Sequence, residues 1–77
     1  MPDIEKLIEK WKQNPTDVRY KTVKLFLEHF GYTLFNVKGS HFGFKKQEAK
    51  SINVIVHQKH VKKWYIKRLL KTLNILQ

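Results

Sequence analysis

The chain contains no cysteine. That excludes a disulfide framework, a thiol nucleophile and a cysteine-ligated zinc site, and it fits a reducing compartment. Glycine and proline are scarce, three and two in 77 residues, and no linker, internal repeat or low-complexity segment is visible. No apolar run is long enough to span a bilayer, and charges interrupt the amino terminus throughout, so neither a membrane segment nor a signal peptide is expected. The expected placement is cytoplasmic. Acidic residues are few: six Asp and Glu against sixteen Lys and Arg, a net charge of +10. What remains is ordinary globular material. The apolar fraction, 42%, argues against wholesale disorder, and the length suits one domain with one modest core.

The charge is unevenly spread. Residues 1–31 hold six basic and five acidic residues, whereas residues 32–77 hold ten basic residues and the single acid Glu48. The second part therefore carries a strong positive field, which attracts a phosphate backbone, an acidic protein or an anionic surface. A polyanion partner accounts for this lopsidedness better than solubility alone.

Periodicity divides the chain into six elements. Ile4, Leu7, Ile8 and Trp11 lie on one face of a helix that Asp3 can cap and Asn14-Pro15 ends. Val23, Phe26, Leu27 and Phe30 repeat the pattern in a second helix within "TDVRYKTVKLFLEHFG", with Thr16 or Asp17 as its cap and Gly31 as its left-handed terminator. Three strand-like runs follow: Tyr32–Lys38, His41–Lys46 across a Gly39-Ser40 turn, and Ser51–His57 beyond the polar "QEAK". "VKKWYIKRLLKTLNILQ" is a third helix with Ile66, Leu69, Leu70 and Leu73 inward and Lys63, Lys67 and Lys71 on another face, Arg68 beside them. The expected fold is α+β: an α-α-β-β-β-α order in which a three-stranded antiparallel sheet carries the helices on one face. An α-β-β-β-α core is the layout of double-stranded-RNA-binding domains. One domain is expected over residues 1–77, with 1–14 as an extra N-terminal helix and 15–77 as the core.

The stretch "NVKGSHFGFKK" holds the most informative side chain. If Phe42 and Phe44 face the core, then His41, Gly43 and Lys45 face outward, because side chains alternate along a strand. The opposite register would bury a lysine and expose two phenylalanines. On this reading Gly43 leaves room for a ligand or a backbone to approach the imidazole. Lys45 lies about 13 Å from His41 at strand rise, close enough for a neighbouring phosphate but not for the same proton. Gly39 and Ser40 offer amide donors just before the histidine, a small anion site. Imidazole suits RNA cleavage. It can take the proton of a ribose 2′-OH or protonate the departing 5′ oxygen near neutral pH, and nearby lysines would lower its pKa and offset charge on a phosphorane. The bland alternative is a surface histidine that stacks or hydrogen-bonds.

The other histidines say less. His57 and His60 are three apart but lack a Cys, Asp or Glu to complete a ligand set, so no metal site and no cofactor are expected. His57 falls on the same strand face as Asn53 and Ile55. It is either a second proton carrier near His41 or a hydrogen-bonded strand end. His29 lies off the apolar stripe of its helix.

"GSH" between two strands, then a strand ending in "VH", then a basic C-terminal helix, resembles the HicA toxin family, small bacterial mRNA interferases with a double-stranded-RNA-binding-like fold. "FGYTLFNVKGSHFGFKK" corresponds to that family's "fGf…kGSH…f" segment and "INVIVH" to its "…vPvH" strand, so the likeness runs from about Asn14 to Ile75. Two departures stand out: Trp64-Tyr65 replace the small residues that often start the helix, and Ile55 stands where proline is frequent. The resemblance implies the toxin of a type II toxin–antitoxin system that cleaves mRNA without a metal. It makes His41 the catalytic group and a HicB-like antitoxin the partner that covers the active face. Taken with the charge pattern, the expected RNA contacts are Lys38, Gly39, Ser40, Lys45, Lys46, Lys62, Lys63 and Lys67, with His57 as a secondary candidate, and the free toxin is expected to be monomeric. The rival readings are a non-catalytic RNA-binding module of the same fold and an adaptor whose basic face meets an acidic protein.

Overall fold

The computed structural model describes residues 3–14 and 16–73. Helix α1 (Ile4–Gln13) begins where the Asp3 side chain accepts from the Lys6 amide, and it closes with the Asn14 amide donating to the Lys10 carbonyl. Its apolar stripe ends in Trp11, whose ring lies 4.8 Å from Phe26 and is 1% exposed. The short helix is thus held by docking rather than by its own propensity.

The next helix starts later than periodicity suggests. Val18–Arg19 form strand β1, and α2 spans Tyr20–His29. Neither Thr16 nor Asp17 caps it: the N-cap position is Arg19, which makes no side-chain cap bond. Asp17 instead accepts from the Lys63 amide at 2.9 Å and so caps the third helix, 46 residues away in sequence. The far end of α2 behaves as expected. Gly31 sits at φ +91°, its amide donates to the Glu28 carbonyl and the Tyr32 amide to that of Leu27, the paired bonds of a Schellman terminus.

Strands β2 (Thr33–Lys38), β3 (His41–Lys45) and β4 (Ile52–Ile55) form an antiparallel sheet in the order β2-β3-β4. The β2–β3 turn has two residues, with Gly39 at φ +59° and Ser40 at negative φ. This positive-then-negative pair is the type II′ pattern, which needs glycine first. In register, Leu34, Phe44 and Ile52 share one face with Val37, Phe42 and Val54. Phe44 and Val54 are fully buried there beneath α2 and the last helix, α3 (Lys63–Thr72), which contributes Ile66, Leu69 and Leu70 to the same core. Lys38, His41 and Ile55, then Asn36, Gly43 and Asn53, then Thr33 and Lys45, face the other way.

The third run is shorter than Ser51–His57. After Ile55 the chain makes a tight hairpin in which His57 and His60 exchange both backbone hydrogen bonds at 2.8 Å. Gln58 and Lys59 both take positive φ, 49° and 67°, the type I′ pattern. It leads to β5 (His60–Val61), which pairs with β1 in a second, two-stranded sheet. The expected helical continuation past Leu73 lies outside the described residues. The architecture is α+β, three helices and a three-stranded antiparallel sheet like that of double-stranded-RNA-binding domains, with the β1–β5 ribbon added. No helix among the described residues is long and apolar enough to cross a membrane.

Candidate active site

His41 opens β3 directly after the tight turn, opposite Lys38 on one side and Ile55 on the other. The turn is pinned to β4 by the Val56 amide, which donates to the Ser40 carbonyl at 2.9 Å. The backbone position of His41 is therefore fixed by hydrogen bonds on both flanks, while its side chain is exposed on the helix-free face.

A shallow groove runs from His41 over β4 to the flank of α3. Ser51, Asn53 and Ile55 line it from the strand and Tyr65, Arg68 and Thr72 from the helix. No carboxylate is among its lining residues within the described part of the chain. Arg68 brings a permanent cation to the histidine's groove. Thr72 bonds back to the Arg68 carbonyl at 2.9 Å, within its own helix. Burial pushes the Tyr65 phenol above its ordinary pKa, with Arg68 opposing the rise. The phenol is therefore protonated at neutral pH, a neutral donor beside a cation.

The residues expected to touch RNA separate into groups. Lys38, Gly39 and Ser40 surround the histidine's end of the sheet, and Lys45 lies further along the same face. The Lys46 ammonium stands 5.5 Å from the Tyr32 ring centre, and its stem crosses Gly31. The Lys62 ammonium reaches Asp17 at 3.7 Å. Lys63 and Lys67 are exposed on α3. His57 lines a different groove, with Asp17, Gln58, His60 and Lys62, and belongs to the hairpin rather than to the groove of His41. The His60 Nδ1 sits 2.9 Å from the Gln58 carbonyl. His29 packs edge-on to Phe30 at 5.2 Å.

The space above Gly43 is not open, contrary to the expectation that it admits a ligand. The ring of Phe35 fills it: a Cβ on Gly43 would lie 3.1 Å from Phe35 Cε1 and 3.3 Å from Cζ. Phe35 follows the core-facing Leu34 and so points outward, and a bulge between Leu34 and Asn36 leaves both Phe35 and Asn36 on the face of Gly43. Sequence reasoning also missed Asn53, Tyr65 and Arg68 as neighbours of the histidine. Asn53 was legible from strand alternation, but the helix–strand groove that brings in Tyr65 and Arg68 is a matter of packing.

The fold and the site together define a class: a small basic protein with a double-stranded-RNA-binding-like sheet, one face packed under helices and the other presenting a histidine beside cations. Within that class the model of the HicA toxin of bacterial toxin–antitoxin systems matches residues 20–75, and the chain belongs to that family. It is accordingly a toxin whose counterpart is a cognate antitoxin. The match begins at the first residue of α2, so α1 and β1 precede it. No curated protein and no solved structure matches the chain.

Proposed function

We propose that this toxin is an endoribonuclease that cleaves mRNA, with His41 as the general acid/base. Support rests above all on one observation: His41 is exposed at the end of a backbone-pinned turn, in a groove with Arg68 and without a lining carboxylate. A ribose-phosphate strand on this face has its phosphates drawn to Lys38, Lys45 and the Gly39-Ser40 amides, with Lys46, Lys62, Lys63 and Lys67 adding longer-range attraction.

In the proposed reaction the ribose 2′ oxygen loses its proton to a base and attacks the adjacent phosphorus. The bond to the 5′ oxygen breaks, and that oxygen takes up a proton. The products are a 2′,3′-cyclic phosphate and a 5′-hydroxyl. His41 serves one of the two proton transfers, and Arg68 offsets the charge that builds on the phosphorane. The reading requires no metal. The antitoxin covers this face, the free toxin is a monomer, and both act in the cytoplasm.

The test compares wild type with His41→Ala, in growth arrest on induction and in cleavage of purified RNA with a chelator present. The substitution should lower cleavage about 10²–10⁴-fold, the usual range for a positioned proton-transfer group, with RNA affinity retained. If RNA stays intact with the wild-type protein while affinity is high, the chain is a binding module and the enzyme reading is wrong.

A further inference from the structure

We infer that Phe35 is a stacking platform for a nucleobase next to the scissile linkage, and that the toxin therefore takes single-stranded RNA despite its double-stranded-RNA-binding-like fold. This rests on the nuclease reading of the same face.

Phe35 is large and apolar, yet it is 50% exposed on the sheet face that none of the described helices covers. With Leu34 pointing to the core, alternation turns Phe35 outward, and the β2 bulge then keeps Asn36 outward as well and returns Val37 to the core side. A large apolar ring left on a surface is normally a liability. Here it is held in a fixed pose. One side rests on Gly43, whose missing Cβ permits ring-to-backbone approach, and Asn53 Oδ1 flanks the same glycine. Half of the Phe35 surface remains open to solvent.

The surroundings fit a nucleotide. The Lys45 ammonium lies over the ring, 5.4 Å from its centre; a stacking base would displace it from that face, and the flexible stem lets it turn to the phosphate of the same nucleotide. Lys38 lies at the other end of the same face, and Glu48 is the only acid anywhere after residue 31. Gly43, under the ring, is two residues from His41, about 7 Å along the strand. That is roughly the reach from a ribose-phosphate linkage to the base beside it. Stacking on an aromatic ring needs a base free of its duplex neighbours, so the platform selects unpaired RNA and tolerates any base.

The experiment uses the full chain carrying His41→Ala, so that RNA survives the binding measurement. Affinity for a short single-stranded oligoribonucleotide and for the same sequence in a duplex is measured with Phe35 kept or replaced by Leu, Ala or Trp. Thermal melting confirms that each variant folds. Leu and Ala should weaken single-strand binding roughly 5- to 150-fold, the usual effect of removing one stacked aromatic, and Trp should restore it. The duplex should bind more weakly and ignore the substitutions. Equal affinity of the Leu variant and its parent, or a duplex bound as tightly as the single strand, overturns the inference. So does a Phe35 series that weakens only antitoxin binding, which would make the ring a protein contact. Aromatic-dependent RNA binding, together with wild-type toxin that leaves the same oligoribonucleotide intact, supports the platform and overturns the nuclease reading instead.

Discussion

Asp17 is the residue whose removal should most clearly separate local helix chemistry from core packing. It sits just before β1, outside any helix, and accepts from the amide of Lys63, the first residue of α3. The N-cap position of α3 is Lys62, which makes no side-chain cap bond of its own. Asp17→Ala thus leaves the first turn of α3 without its side-chain acceptor. Loss of such a cap costs about 1 kcal/mol. The ion pair to Lys62, at 3.7 Å with both side chains about half exposed, adds at most a few tenths to about 1 kcal/mol. The total is about 1–2 kcal/mol, and for a domain of this size each kcal/mol shifts Tm by roughly 4–8 °C. The assay is thermal unfolding by circular dichroism in the His41→Ala background, with amide exchange read at Lys63–Ile66. Asp17→Asn keeps the acceptor and loses only charge, so it should fall about 0.3–1 kcal/mol through the ion pair and the helix dipole. Lys62→Ala loses the ion pair alone and should fall by only a few tenths of a kcal/mol. If Asp17→Ala melts with its parent, or if Asp17→Asn falls equally far, the long-range cap is not what holds the start of α3.

Two further substitutions probe the packing. Trp11→Ala removes a ring that is buried against Phe26 and should cost about 3–5 kcal/mol, comparable to much of a small domain's whole stability; a chemical-denaturation midpoint near that of the parent would show that α1 is an ornament. The Tyr20 ring packs at a tilt against Phe42, 4.5 Å between centres, while its buried hydroxyl has no hydrogen-bond partner among the described residues, so Tyr20→Phe should gain about 1 kcal/mol. Burial, and then Glu28, raise the Tyr20 phenol above 10, so folding favours its neutral form. That contribution is whole below pH 10 and is lost as pH climbs through the raised folded value. Tyr20→Phe should therefore lose less stability on alkalinisation than the parent, and parallel alkaline melts would refute the assignment.

The helices were legible because their four-point apolar stripes coincide with burial: Val23, Phe26 and Leu27 in α2, and Ile66, Leu69 and Leu70 in α3, are all inside. The Gly39-Ser40 turn was legible because a II′ turn requires glycine first. Three features were not. Val18–Arg19 read as helix because local propensity cannot register a partner 42 residues away, His60–Val61, that converts the pair to a strand. The hairpin at Gln58-Lys59 carries none of the Asn-Gly or Gly-Gly signals of its turn type; two side-chain-bearing residues accept left-handed backbone because β4 and β5 hold the ends. The Phe35 bulge was hidden for a related reason. "TLFNVK" is a plausible strand in more than one register, and only Phe42 and Phe44 across the ladder decide where the extra residue falls.

Stability and proposed chemistry are divided between the two faces of the sheet, and this makes the functional tests interpretable. Phe44 and Val54 face the helices and carry the core, whereas His41, Lys38 and Lys45 face solvent. Exposed substitutions away from caps and packed networks usually change stability by no more than about 0.5 kcal/mol. A loss of cleavage at His41, or of RNA affinity at Phe35, therefore reports on the open face and not on a partly unfolded chain. The exception is α3. It buries Tyr65, Ile66, Leu69 and Leu70 in the core while Tyr65 and Arg68 also line the groove, and Asp17 holds its first turn. A defect there moves both properties together. Arg68 must therefore be judged by a charge-conserving change to Lys, which keeps the long stem and the cation but gives up the planar fork. A fall in cleavage with an unchanged melting curve would then tie the groove, rather than the helix, to the reaction.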